Sequence, residues 1–274
     1  MRIRVEHGTT YRYQPAAKSV LQVLRLTPRS HEGQNVVRWK VSADADGEVQ
    51  IRKGEDAHGN LTHTAFVQGP VSELTLQVTG EVETWDAHGI VRGALERFPP
   101  EAFLRETPLT EPSPELEAFA EAAGAGGDPI ARLHRLMLAI RAEITFDAEP
   151  THATTTASEA FALKRGVCQD FSHIFIAAAR HLGVPARYVS GHLANGEEVH
   201  QEAAHAWAEA YAPDLGWVGF DCANGLSPTP AHVRVAVGLD YLGAAPVRGS
   251  RSGGGTESMD VRLRVSHAAM QSQA

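Results

Sequence analysis

Sulfur is scarce in this chain, which has two cysteines, Cys168 and Cys222, among 274 residues. One disulfide is the most they can form, and in a chain of this length and cytosolic character a lone cysteine at a helix start is better read as reactive. Long apolar runs are missing too. No stretch of about 18 apolar residues occurs, so no membrane-spanning helix is expected. The opening Met1-Arg2-Ile3-Arg4-Val5-Glu6 reads as an alternating strand and lacks the apolar core and cleavage site of a secretory signal. The expected location is therefore cytoplasmic. Positive charge is not in excess, the formal net charge being -8. No basic face is legible, so nucleic acid is not an expected partner. Gly253-Gly254-Gly255 has neither a strand-to-helix setting nor a P-loop lysine and reads as flexible loop. No loop gathers acidic ligands in the manner of a calcium site, and no internal repeat is present.

What the chain does contain is 43% hydrophobic and 21% charged residues, the balance of a soluble globular protein. The length suits two ordinary domains or one large one. Up to Trp85 the pattern is strands: Ile3-Val5, Thr9-Tyr13, Val20-Leu26, Val36-Val41, Val49-Ile51, Leu61-Phe66 and Leu74-Val82. Turn clusters such as Asp44-Ala45-Asp46-Gly47 separate them. This spacing implies an all-β sandwich over residues 1–95, followed by a second domain over 96–274.

Proline-rich connection follows, and then helices. Ser113 and Asp128 each stand before a proline and an amphipathic run, the second with Ile130, Leu133, Met137, Ile140 and Ile144 in phase. A third helix is expected over Ala157 to Lys164. After Gly166 a fourth opens at Cys168, with Phe171, Phe175, Ala178 and Leu182 in phase, and ends at Gly183 before Pro185. A thiol in a first helical turn meets unpaired backbone N–H groups and the positive end of the helix dipole. These favour thiolate over thiol and suit a developing oxyanion.

Further on, Ala204 to Tyr211 alternates small with large, so His205, Trp207, Glu209 and Tyr211 share one face. Pro213-Asp214-Leu215-Gly216 turns the chain, and Trp217 to Asp221 returns. If Tyr211 pairs with Leu215, His205 stands directly opposite Asp221; a shift of two residues leaves them diagonal on the same face. A thiol, an imidazole and a carboxylate are the parts of a nucleophile with its base and orienter. Val233 to Tyr241 is expected to be partly extended, Arg248 to Gly255 a loop, Val261, Leu263 and Val265 a last strand, and the tail after Ala268 frayed.

The stretches Gly166-Val167-Cys168-Gln169-Asp170-Phe171, Ser172 to Gly191, His205 to Asp221 and His232 to Tyr241 together closely resemble bacterial transglutaminase-like proteins with an N-terminal β-sandwich. The resemblance covers nearly the whole chain. It implies an α+β fold in which a papain-like transglutaminase core of helices on an antiparallel sheet follows the sandwich. It also implies Cys168 as nucleophile, His205 as general base and acid, and Asp221 as the group that orients the imidazole. The superfamily includes peptidases, amidases, acyltransferases and inactive members. The implied activity is thus cleavage or transfer of an amide bond of a peptide-like substrate through a thioester on Cys168. Amine transfer is the alternative, and a non-catalytic peptide-binding module is an alternative of another class. No cofactor is required, and the partner expected is a peptide or protein substrate. One departure from the family pattern is Cys222-Ala223-Asn224-Gly225 after the aspartate, where Pro-Thr-Asn-Gly is usual.

Cys222 points away from the Asp221 face and suits the core. His200, Glu202 and His205 raise a metal site, but their spacing is not a usual zinc pattern and strand geometry puts 200 and 205 on opposite sides, so no metal is expected. Asp170 complements the helix dipole or ties down neighbouring backbone. Trp207 and Trp217 suit core or wall, and Tyr188 and His192 are possible cleft residues.

Overall fold

Strict alternation of apolar and polar residues makes the first strand long. In the computed structural model, which describes residues 1–194, 199–201 (backbone only) and 204–267, β1 runs Arg2–Thr27 with Ile3, Val5, Tyr11 and Tyr13 inward and Arg4, Glu6 and Arg12 outward. It is followed by β2 (Gln34–Ala45), β3 (Glu48–Glu55), β4 (Leu61–Thr84) and β5 (Ile90–Val91). Segments expected as separate strands are therefore fused, three of them in β1 and two in β4. The reason lies in the pairing. The β1–β4 register slips between Arg12 and Ala17 and again between Ala17 and Ser19, so the ladder bends at its bulges without the strand ending. The distal half of β4 lies between the amino-terminal half of β1 and β2, and its first half lies between the rest of β1 and β3. Bent over on itself, the sheet encloses one core in which Val20, Leu24 and Val67 meet Tyr11, Leu74 and Leu76.

A 3-10 turn at Pro100–Leu104 leads to α1 (Pro114–Ala123), α2 (Pro129–Glu143), β6 (Thr145–Phe146), α3 (Ala157–Leu163), β7 (Arg165–Gly166) and α4 (Cys168–His181). The expected caps are in place: Ser113 accepts from the Leu116 N–H, and Asp128 accepts from the N–H groups of Ile130 and Ala131. Thr156 and Glu159 form a reciprocal capping box on α3, which stops where Lys164 turns left-handed at φ 56°. Then come β8 (Ala186–Leu193), β9 (Val199–Gln201), β10 (His205–Ala212), β11 (Gly216–Phe220), β12 (His232–Gly238), α5 (Tyr241–Ala244), β13 (Val247–Gly253) and β14 (Thr256–His267).

The second sheet has the order β12-β8-β10-β11-β5 and is antiparallel. Its central strand β10 turns Ala206, Ala208, Ala210 and Ala212 into the core that holds Phe171, Ile174, Phe175 and Ala178 of α4. Small side chains there let the helix approach the strand closely. On the other face Glu209 is buried between Arg187 and Arg234, and Arg187 also holds Glu96 of the linker. The Trp217 ring lies 3.8 Å from the Arg187 guanidinium.

One expectation changes at the carboxyl-terminal end. Residues 248–255, read as loop, lie largely in β13, and β13 and β14 pair with opposite halves of β1. The first sheet is thus completed by strands more than 200 residues away from β1, and its pairing crosses the division placed at residue 95. Long-range pairing of this kind leaves no local mark, because a Gly/Ser-rich strand edge and a loop have the same composition. The turn expected at Asn195-Gly196, the side chains of His200 and Glu202, and the tail from Ala268 lie outside the described residues. Among the described residues no helix is long and apolar enough to cross a membrane.

Candidate active site

The site begins at the amino terminus of α4. Val167 precedes the helix with no capping side chain of its own, and the Asp170 carboxylate supplies the cap from inside the first turn. Its Oδ2 accepts the Val167 N–H at 2.8 Å and the Thr151 hydroxyl at 2.8 Å. Asp170 is buried, and burial pushes its carboxyl up against these hydrogen bonds. Of the two roles read for Asp170, the backbone tie is the one the contacts describe. Gly166 leaves room for it, since a Cβ there would stand 2.6 Å from Asp170 Oδ2. Cys168, the first residue of the helix, is partly buried, and the Ser172 hydroxyl donates to its carbonyl at 2.7 Å.

His205 opens β10 and Asp221 follows β11. The hairpin pairs Tyr211 with Trp217 and Ala208 with Phe220, two residues from the register that would set His205 directly opposite Asp221. The diagonal arrangement results, and the side chains still meet: His205 Nε2 donates to Asp221 Oδ2 at 2.7 Å. Burial works against a charged imidazole, yet the hydrogen bond to Asp221, a hydrogen bond with Cys168 and the charges of both outweigh it. His205 is pushed up to about 10. Asp221 is fully buried, and burial alone would raise its carboxyl. The N–H donors of His205, His232 and Asn224 hold it far below the ordinary carboxylate range instead.

Two of these donors escaped the sequence reading as site residues. Asn224 Nδ2 donates to Asp221 Oδ2 at 2.7 Å and its backbone N–H donates to Oδ1 at 3.2 Å. His232 Nε2 donates to the same Oδ2 at 3.1 Å. Asn224 was visible as the retained half of the family's Asn-Gly turn. His232, the first residue of β12, had no spacing signal. The bend after Asp221 persists despite Cys222-Ala223, because the backbone of Asp221 pairs with Leu226 and Gly225 takes φ 69°. Cys222 itself is buried in the core as expected, and burial pushes its thiol well up.

His205, Asp221 and His232 bring three potential ligand atoms within 4.8 Å of one another, a different trio from the one weighed in the sequence. The donor pattern argues against a metal there. Thr229 donates its backbone N–H to His232 Nδ1 at 3.0 Å, so Nδ1 is the unprotonated nitrogen and Nε2 carries the proton. To bind a metal through Nε2 the neutral ring would have to place its proton on Nδ1, facing another donor.

Trp207 and Trp217, read as core or wall, are buried, and so are the possible cleft residues Tyr188 and His192. Trp207 is buried with Val189 and Val237, its ring edge-on to His232 at 5.3 Å. Trp217 is buried beside Phe103 and Arg187. Tyr188 is buried between His173 and Tyr241, and its phenol is raised by burial first and by the Cys168 charge second. His192 faces His7 in the interior, and burial pushes it down to about 3.

Residues 117–222 match the model of the transglutaminase-like superfamily core, and residues 3–83 match that of the bacterial transglutaminase-like N-terminal region, together more than half of the chain. The chain belongs to the transglutaminase-like superfamily. The uncharacterized protein ML0607 of Mycobacterium leprae is 28% identical over 284 residues, covering 98% of this chain and 99% of that one. A protein-glutamine gamma-glutamyltransferase of Pseudomonas aeruginosa is 30% identical over 118 residues, covering 38% of this chain and 17% of its own length. The crystal structure described as "a Putative Cysteine Protease from Cytophaga hutchinsonii" shares the fold at a TM-score of 0.77 and 20% identity, covering 100% of this chain and 92% of its own. In this transglutaminase-like chain the α+β fold expected from the resemblance is present.

Proposed function

We propose that this transglutaminase-like protein is a cysteine enzyme that cleaves an amide bond of a peptide-like substrate through a thioester on Cys168. The observation that carries this reading is His205, which donates to Asp221 through Nε2 at 2.7 Å and is raised by Asp221 as well as by the neighbouring Cys168. With the imidazole held at about 10, the proton stays on His205 at neutral pH, where it is available to the leaving amine.

The chemistry then runs in two halves. Cys168 Sγ attacks the carbonyl, the oxygen charge is met by the backbone N–H at the start of α4, and the C–N bond breaks as His205 gives its proton to the leaving amine. A thioester remains. Water adds to it while neutral His205 takes the proton; the C–S bond then breaks, releasing a carboxylic acid and restoring thiolate and imidazolium. An amine in place of water would make the protein an acyltransferase. The local similarity to the Pseudomonas enzyme favours keeping that second outcome in the assay.

Iodoacetamide labelling near neutral pH tests the activated thiol: Cys168 is expected to react much faster than buried Cys222, and equal slow labelling of both would leave a peptide-binding module as the reading. Incubation with amide substrates, with and without a primary amine, read by mass spectrometry, separates hydrolysis from transfer. Turnover that survives Cys168→Ala would remove the mechanism.

A further inference from the structure

Asp221 Oδ2 is shared by three N–H donors, and the mechanism above uses one of them. Asn224 comes from the turn that also carries Asp221, so it adds local stiffness. His232 comes from β12, two strands across the sheet from β10, and is tied down independently. Thr229 donates its backbone N–H to Nδ1 at 3.0 Å, and the Trp207 ring stands edge-on to the imidazole at 5.3 Å. The ring is buried, so this is a fixed donor rather than a surface contact.

We propose that His232 is a positioning residue whose Nε2–H restrains the Asp221 carboxylate and, by sharing Oδ2, sets how strongly Asp221 holds the proton of His205. The proposal rests on the assignment of His205 as acid and base. Its physical basis is competition for one oxygen. Each donor on Oδ2 draws on the same negative charge, so every additional one weakens the pull on the others. A carboxylate that bound the His205 proton without competition would make the imidazolium a poorer acid for the leaving amine. The restraint also fixes which oxygen faces His205, because a rotating carboxylate would have to leave the fixed N–H of His232.

Among the described residues, the buried Cys222 thiol lies next to Asp221 and feels its charge. Cys168 faces His205 from α4, and Asp221 faces it from the turn after β11. His232 shares its cavity with Glu209 of β10, Arg234 of β12 and His31 of the β1–β2 connection. Glu209 accepts from Arg234 at 2.7 and 3.1 Å and from Arg187 at 2.7 Å, and Arg187 also holds Glu96, so the four charges cancel.

The test reads the titration of His205 itself, by the chemical shift of its Cε1 proton against pH, and so needs no turnover. His232→Phe keeps a ring and removes the donor; the His205 midpoint is expected to rise by about half a unit to one unit. His232→Gln returns an N–H near Oδ2 and is expected to restore the wild-type midpoint. A His232→Phe titration that overlays wild type would overturn the proposal. If that variant does not fold, long-range nitrogen–proton spectra of the wild-type protein decide: a proton on Nε2 of His232 supports the proposal, and a proton on Nδ1 overturns it. Failure of the proposed function would appear elsewhere, as unreactive Cys168 in the labelling experiment.

Discussion

Replacing Asp221 by Asn probes the centre of the site, because it removes one charge while nearly preserving shape. Oδ2 accepts from His205, His232 and Asn224 in a fully buried position. An amide oxygen turned toward His205 keeps the hydrogen bonds without the charge, and an amide nitrogen turned toward it sets donor against donor. In wild type the imidazolium is held at about 10 against an ordinary value of 6.5, a preference on the order of 5 kcal/mol at 1.36 kcal/mol per unit. With the carboxylate gone, the burial that opposes charge on His205 acts against fewer attractive groups, and its titration falls by several units.

The sign of the stability change follows from linkage. A raised histidine stabilises the fold fully below about pH 6.5, and the contribution fades as pH climbs toward 10. A depressed carboxyl contributes above its unfolded value near 3.8 and loses that contribution as pH falls toward its low folded value. Wild-type thermal stability is therefore expected to be highest between about pH 4 and 6.5 from this pair and to decline on the alkaline side. Asp221→Asn should lose about 3–5 kcal/mol near pH 6, as for breaking a buried ion pair, and the alkaline decline should flatten. Amide turnover should fall by about four orders of magnitude, as in triads whose acid is changed to an amide. Thermal unfolding from pH 4 to 10 and single-turnover kinetics read both effects. Stability curves of equal shape for the two proteins would refute the electrostatic argument.

Other changes test the scaffold. Asp170→Ala removes the cap on the Val167 N–H and the Thr151 hydrogen bond; a loss of about 1–3 kcal/mol in denaturant unfolding is expected, with slower alkylation of Cys168. Glu209→Gln leaves Arg187 and Arg234 buried without their shared carboxylate and should cost about 3–5 kcal/mol by the same measurement. This glutamate is held down at about 2, with burial opposed by the two arginines. Its stabilisation should persist above about pH 4.5 and vanish as pH falls toward 2, visible as an acid unfolding step that the variant lacks. Ala208→Leu thrusts a large side chain into the face of β10 that packs on α4, and a loss of about 1–3 kcal/mol in thermal unfolding is expected from overpacking.

The parts of the site that were legible beforehand are those fixed by neighbours in the chain. A cap before a proline, a stop at Gly183, where φ is 75°, and period-two alternation through His205 are read within a few residues, and each corresponds to an element that formed. The hairpin was legible up to its register. Alternation kept His205 and Asp221 on one face whichever of the two loop lengths the turn adopted, so their meeting did not depend on the choice. Asp170 was ambiguous, since an acid in a first turn serves the dipole equally well, and only the 2.8 Å contacts to Val167 and Thr151 distinguish the roles.

By itself the amino-acid sequence determined the order of the elements, the thiol at the head of a helix and the face shared by imidazole and carboxylate, because these depend on short-range periodicity and turn chemistry. Only the tertiary structure decided that β13 and β14 return to flank β1, that strands read separately bend as one, and that His232 closes on Asp221 from another strand. Those depend on pairing between segments far apart in the chain. Such pairing is chosen by the burial of whole faces and the saturation of backbone donors, which no window of adjacent residues contains.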